Sequence, residues 1–263
     1  MDNILSDSLD QTKKVLIGLG EEWSYNYKNI TNDIAYKNLI DQAKNGYDWL
    51  IPYIEYHYMK NHEDPRKESF KKLSDLIKDK DYYIISTIYD YSDPDNFFDH
   101  DKMVFPCGNI EFLQQKHNAN GELIRVDDAN DISALMLQID NILKNNGKLS
   151  EINKVIYSDD ELIFNQKRRE WLGEQYNEKA YLAKWSDYQN WLSGTLSEDL
   201  LILELGVGLE YPTVIRFPFE KIAFINNKAY MIRVHEKLFQ LPGHIVKKAV
   251  SVQNNSMDYI KEA

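Results

Sequence analysis

The sequence predicts an α/β fold: a mostly parallel sheet with helices on both faces. Three observations carry this. Short apolar runs at 15–18, 82–88, 103–105, 200–205 and 229–234 alternate with helical segments, the order that lays strands side by side through crossover helices. Two of those runs end in Gly-x-Gly, at Gly18-Leu19-Gly20 and Gly206-Val207-Gly208. With 263 residues and 43% hydrophobic content, the chain can bury a large core in one domain.

The elements follow in order. "SDSLDQTKK" (6–14) reads as a short helix, and "VLIGLG" (15–20) as a buried strand that runs into glycines. The region 21–64 is helical and rich in aromatics at three- and four-residue steps, an amphipathic stripe expected to pack inward and divided at Pro52. "DPRKESFKKLSDLIKDK" (64–80) is a helix with Pro65 in its first turn, and "YYIISTI" (82–88) a buried strand. "YDYSDPDNFFDHDK" (89–102) is an acidic loop; it lacks the glycine and terminal glutamate of a calcium loop, so Asp93, Asp95, Asp99 and Asp101 read as solvated. "MVFPCGNIEFLQ" (103–114) is short strand material broken at Pro106. Residues 115–160 are polar, with one helix at 129–147. "FNQKRREWLGEQYNEKAYLAKWSDYQNWLSG" (164–194) is expected to be a long helix or helix pair. The strand "DLLILELG" (199–206), a helix or loop at 212–224 and the strand "KAYMIRV" (228–234) complete the sheet.

This organisation reads as one discontinuous domain. Its sheet core is expected at about 10–22, 80–108 and 165–240, with inserts at about 23–79 and 109–164. A net charge of −11, from 31 basic and 42 acidic side chains, repels phosphate backbones, so no nucleic-acid partner is expected. A single cysteine, Cys107, excludes an intramolecular disulfide and a thiolate zinc ribbon. The opening "MDNILSDSLDQTKK" has no signal-peptide core, and no apolar run approaches ~18 residues. The expected setting is cytoplasmic, with no membrane partner.

The stretch "LELGVGLEYPTVIRFPFEKIAF" resembles the late sheet motif of bacterial sirtuins, nearest to the branch encoded beside macrodomain proteins. The resemblance spans about 10–240, and its specific part is 200–234. It implies a sirtuin-like Rossmann fold with an inserted helical small module, and a cleft for NAD or ADP-ribose. "VLIGLGEE" stands at the phosphate loop, "IISTIYD" at the Thr-x-Asn-x-Asp motif, "VFPCGN" at the catalytic-base strand and "YMIRVHE" at the strand that ends in a ribose-binding asparagine. The cofactor-binding positions implied are Gly18, Gly20, Asp90, Gly206, Val207, Gly208 and His235. No catalytic residue is assigned; the candidates are Cys107, Asn109 and Asp90.

The sequence departs from the family at each of these places. Glu21 and Glu22 follow the first glycines, where carboxylates oppose a diphosphate at a helix N-terminus. Ile88 replaces an amide, Cys107 or Pro106 stands at the base, and His235 replaces the asparagine. The zinc ribbon expected next has left no thiols in 109–164. Two readings follow. The first is a sirtuin-like protein with a degenerate cleft that binds a small molecule or protein without catalysis. The second is an active NAD-dependent deacylase, ADP-ribosyltransferase or NAD hydrolase with unusual residues. A third, an interaction surface made by the aromatics of 23–58, requires those rings to be exposed.

Overall fold

The computed structural model describes residues 4–25, 27–91, 95–145, 147–168 and 175–263. In chain order the elements begin with α1 (Ile4–Gln11), β1 (Lys14–Leu19), α2 (Tyr27–Asn32), α3 (Ile34–Ala43), α4 (Ile51–Asn61), α5 (Lys67–Ile77), β2 (Asp81–Ser86) and β3 (Met103–Val104). There follow β4 (Gly108–Gln115), β5 (Ile124–Arg125), α6 (Asn130–Asn145), β6 (Ile156–Tyr157), β7 (Asp160–Gln166) and α7 (Lys179–Ser193). The last are β8 (Leu200–Leu205), α8 (Arg216–Ile225), β9 (Ala229–Val234), β10 (Ala249–Val252) and α9 (Ser256–Glu262).

Six strands form one parallel sheet in the order β10-β9-β8-β1-β2-β3. Alternation along β1 sets its two faces. Val15, Ile17 and Leu19 pack with Phe70, Leu73 and Ile77 of α5 and with α1 and α9. Leu16 points the other way, into a cluster with Ile215, Phe219 and Ala223 around α8 and with Tyr188 of α7. Both faces are covered, which is why β8 is buried along its whole length.

A second, antiparallel sheet has the order β5-β4-β7-β6. Its apolar face packs on α3, α4 and α6 through residues such as Leu39, Tyr53, Ile54, Leu113, Ile139 and Phe164. Pro52 sits in the first turn of α4 and divides the aromatic region as expected. Trp23, Tyr25, Tyr36, Tyr53, Tyr56 and Tyr58 are buried, so they serve as core and not as a displayed surface.

Three expectations are corrected. Residues 164–166 close strand β7 and do not begin a helix; α7 starts only at Lys179, and 169–174 lie outside the described residues. The region 115–160, expected to be polar with one helix, also supplies β5, β6 and the start of β7, while the strand material expected at 103–114 forms β3 and most of β4. The signal of β7 was hidden because a buried polar group stands among its apolar ones: Asn165 Nδ2 donates to Gln114 Oε1 at 2.7 Å, which also accepts from the Asn177 amide at 3.0 Å. The short edge strand β10 was missed altogether. Of the acidic loop, Asp93 lies outside the described residues, while Asp95 pairs with Lys67 at 2.8 Å and Asp99 caps the next turn through the Asp101 amide at 2.9 Å.

Candidate functional site at the strand ends

Strands β1, β2, β8 and β9 run parallel, so their exit loops converge on one edge, where open α/β sheets place their ligands. The two glycine turns meet there backbone to backbone. The Gly20 amide donates to Leu205 O at 3.0 Å, and the Glu22 amide to Gly206 O at 3.2 Å. A Cβ on Gly20 would lie 2.3 Å from Val207 Cα, an approach only glycine permits. Gly206 turns at φ +63°, and its amide donates to Val234 O at 2.8 Å. Gly18 faces away from this edge: its missing Cβ makes room for Ile215 and Phe219 of α8, so it is a helix-packing position.

The amides exposed by these turns are taken by the chain's own carboxylates. Glu21 accepts from the amides of Gly208 and, at 3.3 Å, Glu210. Glu22 accepts from the amides of Glu236 and Ser256, each at 2.8 Å. Hydrogen bonds to a charged acceptor contribute about 1.5–3 kcal/mol each, so this is a firm closure. A diphosphate laid on these amides has to displace both carboxylates.

Beneath the first loop lies an ion triad in which Arg66 and Asp90 are buried and Asp64 is partly exposed. Arg66, 1% exposed, contacts Asp90 Oδ1 at 2.6 Å and Asp64 Oδ2 at 2.7 Å, and donates to Trp23 O at 3.0 Å. Asp90 also accepts from the Tyr25 amide at 2.8 Å. Asp90 therefore anchors the segment 23–25 and does not reach the crevice. Ile88 beside it is fully buried in the core under the sheet.

A second buried network explains the late motif. Glu204 and Arg233 are register partners on β8 and β9: Arg233 Nη2 donates to Glu204 Oε2 at 2.9 Å, and Nε lies 2.6 Å from Oε1. Arg233 also meets Glu220 at 2.7 Å, and Arg216 lies 3.5 Å from Glu204. Burial pushes the Glu204 carboxyl up, against the pull of both arginines. Arg216 donates to Val207 O at 2.8 Å and to Leu238 O at 2.7 Å, fixing the Gly-Val-Gly turn against the loop after β9. Tyr89 and Tyr211 close the open side: their hydroxyls lie 2.5 Å apart, and Tyr211 donates to Lys167 O.

Cys107 is fully buried, and that burial raises its thiol to about 12. Asn109 is spent locally, its Oδ1 accepting from the Glu111 amide at 2.9 Å. In the native state Cys107 is expected to label slowly with a thiol probe at neutral pH and rapidly once denatured; fast native labelling would mark an activated thiolate instead.

His235 is buried, with Nδ1 accepting from the amides of Lys237 at 3.0 Å and Leu238 at 3.2 Å, so its proton sits on Nε2. The 3.1 Å approach of Nδ1 to Glu22 Oε1 is then a contact between two acceptors, not a hydrogen bond. Burial lowers the His235 pKa from 6.5, and the Glu22 carboxylate opposes that shift without overturning it. A group that binds its proton more weakly when folded stabilises above its unfolded pKa, and that stability is lost as pH falls through about 6.5. The melting temperature is expected to fall between pH 7.5 and 5.5, and His235→Asn, which keeps an acceptor and removes the titration, to flatten that fall. An equal fall in the variant would assign the effect elsewhere.

No protein-family model matches the chain. A curated protein ADP-ribosyltransferase of Staphylococcus aureus is 20% identical over 285 residues, covering 99% of this chain and 86% of its own length. A structure described under the mechanism and regulation of Sir2 enzymes aligns with a TM-score of 0.53 at 12% identity, over 100% of this chain and 97% of its own. A Sir2 complex with an inhibitor, 2′-O-acetyl-ADP-ribose and a deacetylated peptide aligns with a TM-score of 0.50 at 14% identity, over 99% and 96%. The chain has the sirtuin fold.

On that fold the structure gathers Gly20, Gly206, Val207, Gly208 and His235 at the strand ends, with Asp90 beneath them, while Gly18 is turned onto α8. Sequence reasoning missed Arg66, Arg216, Arg233, Tyr89 and Tyr211. One of these had a signal: Arg233 is a lone charge inside an otherwise apolar strand, as is Glu204, and neighbouring strands make such charges partners. Among the described residues, no group of three or more His, Cys, Asp or Glu is placed to hold a metal ion, and no helix is long and apolar enough to cross a membrane.

Proposed function

We propose that this sirtuin-fold protein is a non-catalytic binding protein whose nucleotide crevice is shut by Glu21 and Glu22. The observation that carries this is the capture of the Gly208, Glu210, Glu236 and Ser256 amides by those two carboxylates. NAD and ADP-ribose do not fit the crevice in this state. The candidate catalytic positions agree: Cys107 is buried with a raised pKa, and Asn109 and Asp90 are bound into the scaffold. The chain acts as one discontinuous unit, and its partner is a small molecule or a protein, as Sir2 structures with bound peptides suggest. The direct test is a melt in millimolar NAD and, separately, ADP-ribose. No shift is expected. A ligand at 100 times its Kd contributes about 2.7 kcal/mol, roughly 5–10 °C for a chain of this size, and such a shift would overturn the reading.

One observation favours an enzyme: the Staphylococcus aureus relative named a protein ADP-ribosyltransferase aligns with nearly the whole chain. Transfer of ADP-ribose from labelled NAD to a protein acceptor would establish that activity. It requires Glu21 and Glu22 to swing out, so the same melt separates the two readings.

A further inference from the structure

We propose that the small module carries a second site, a cavity between α4 and β7 that takes a small aromatic carboxylic acid with a hydrogen-bond donor on its ring. The site adjoins the strand-end crevice through the Gln166–Tyr89 hydrogen bond but is lined by other residues, and it stands whether or not that crevice takes a dinucleotide. The cavity measures about 260 Å³, below the usual range for drug-sized ligands, so it suits one ring and not a nucleotide or a lipid chain.

Its walls are aromatic and fixed. Trp49, Pro52, Tyr53 and Phe164 line it. Tyr53 and Phe164 stand 5.0 Å apart between ring centroids, and Trp49 meets Tyr53 edge-on at 6.2 Å. The Tyr53 hydroxyl donates to Leu162 O at 2.6 Å, which locks the ring. Such a box selects a flat apolar body, because ring-on-ring contacts add to the burial of apolar area.

The polar groups select the rest of the ligand. Lys116 and Lys154 both line the cavity, and their ammonium groups share one oxygen of Glu161, at 3.2 and 2.8 Å. Each ammonium keeps N–H donors beyond the one spent on Glu161, beside the aromatic walls; Asp48, also lining the cavity, is exposed, as is Lys154, so solvent screens both alike. An anionic head group is thereby favoured. Gln166 also lines the cavity and is 3% exposed. Its Nε2 donates to Tyr89 O at 3.2 Å, while its Oε1 is buried with no hydrogen-bond partner among the described residues. Buried acceptors are nearly always satisfied, and a small shift of this amide toward the cavity lets a hydroxyl or N–H on the ligand ring supply the missing donor.

The test is calorimetric titration of the full chain with 4-hydroxybenzoate, which combines ring, carboxylate and donor. Saturable binding is expected with a Kd of about a millimolar or tighter. Benzoate, lacking the donor, and 4-hydroxybenzamide, lacking the charge, should each bind about fivefold more weakly or worse. Lys154 is nearly half exposed, so Lys154→Met should fold. That variant should weaken 4-hydroxybenzoate and leave 4-hydroxybenzamide unchanged, a charge-specific readout that a merely structural effect would not give. Quenching of tryptophan fluorescence should vanish in Trp49→Phe while the heat of binding persists. The proposal is overturned if none of the three probes saturates, or if Lys154→Met binds 4-hydroxybenzoate as tightly as the parent. Millimolar NAD should leave the titration unchanged, so the outcome is read independently of the crevice.

Discussion

Replacing Arg66 with methionine is expected to lower the melting temperature by about 6–20 °C, among the largest effects of any single substitution in this chain. Arg66 is 1% exposed and faces two carboxylates, Asp90 and Asp64. Removing one partner of a buried ion pair typically costs about 3–5 kcal/mol, because the remaining charge is stranded without water. At about 2–4 °C per kcal/mol the range follows. The loss is local in origin: Arg66 also holds Trp23 O, and Asp90 holds the Tyr25 amide, so the segment carrying Glu21 and Glu22 loses its floor. The double variant Arg66→Met, Asp90→Asn should recover part of the loss by removing the stranded charge. If Arg66→Met melts within 2 °C of the parent, the triad is not what holds the first loop.

That triad marks a limit on what could be read from the sequence. The parallel sheet was legible because buried strands leave apolar runs, and the two glycine turns were legible because few residues other than glycine permit such backbone approaches. Asp90 could be placed by its motif position, but its partner could not: Arg66 lies 24 residues away in a charged helical region, and nothing in a one-dimensional pattern pairs the two. Strand β7 of the second sheet failed for a related reason. Asn165 is buried yet polar, bonded to Gln114 and to the Asn177 backbone, so it broke the alternation on which a strand assignment depends. The glutamates were recognised as hostile to a phosphate. That they would fold back onto the amides of the other glycine turn required the geometry of β1 beside β8, which brings loops 187 residues apart into one hydrogen bond.

The double variant Glu21→Ala, Glu22→Ala is expected to convert the closed crevice into an anion site. Without the carboxylates, the Gly208 and Glu210 amides lose one acceptor and the Glu236 and Ser256 amides the other. These amides lie at a solvent-open edge, where water takes over from each lost carboxylate, so the variant should melt several degrees below the parent. The same amides then form a cluster of backbone donors at the ends of parallel strands, the arrangement that recognises phosphate. ADP-ribose should therefore raise the variant's melting temperature by several degrees while leaving the parent unmoved. Ile88→Asn, which would restore the family's amide, is excluded from the test: Ile88 is fully buried among apolar neighbours, and an unpaired amide there would unfold the core regardless of any ligand. A parent that already responds to ADP-ribose would show that the glutamates yield to ligand and would favour the enzyme. A folded variant that stays silent would show that carboxylate capture is not what closes the crevice, leaving the close packing of Gly20 on Gly206 and Val207 as the barrier.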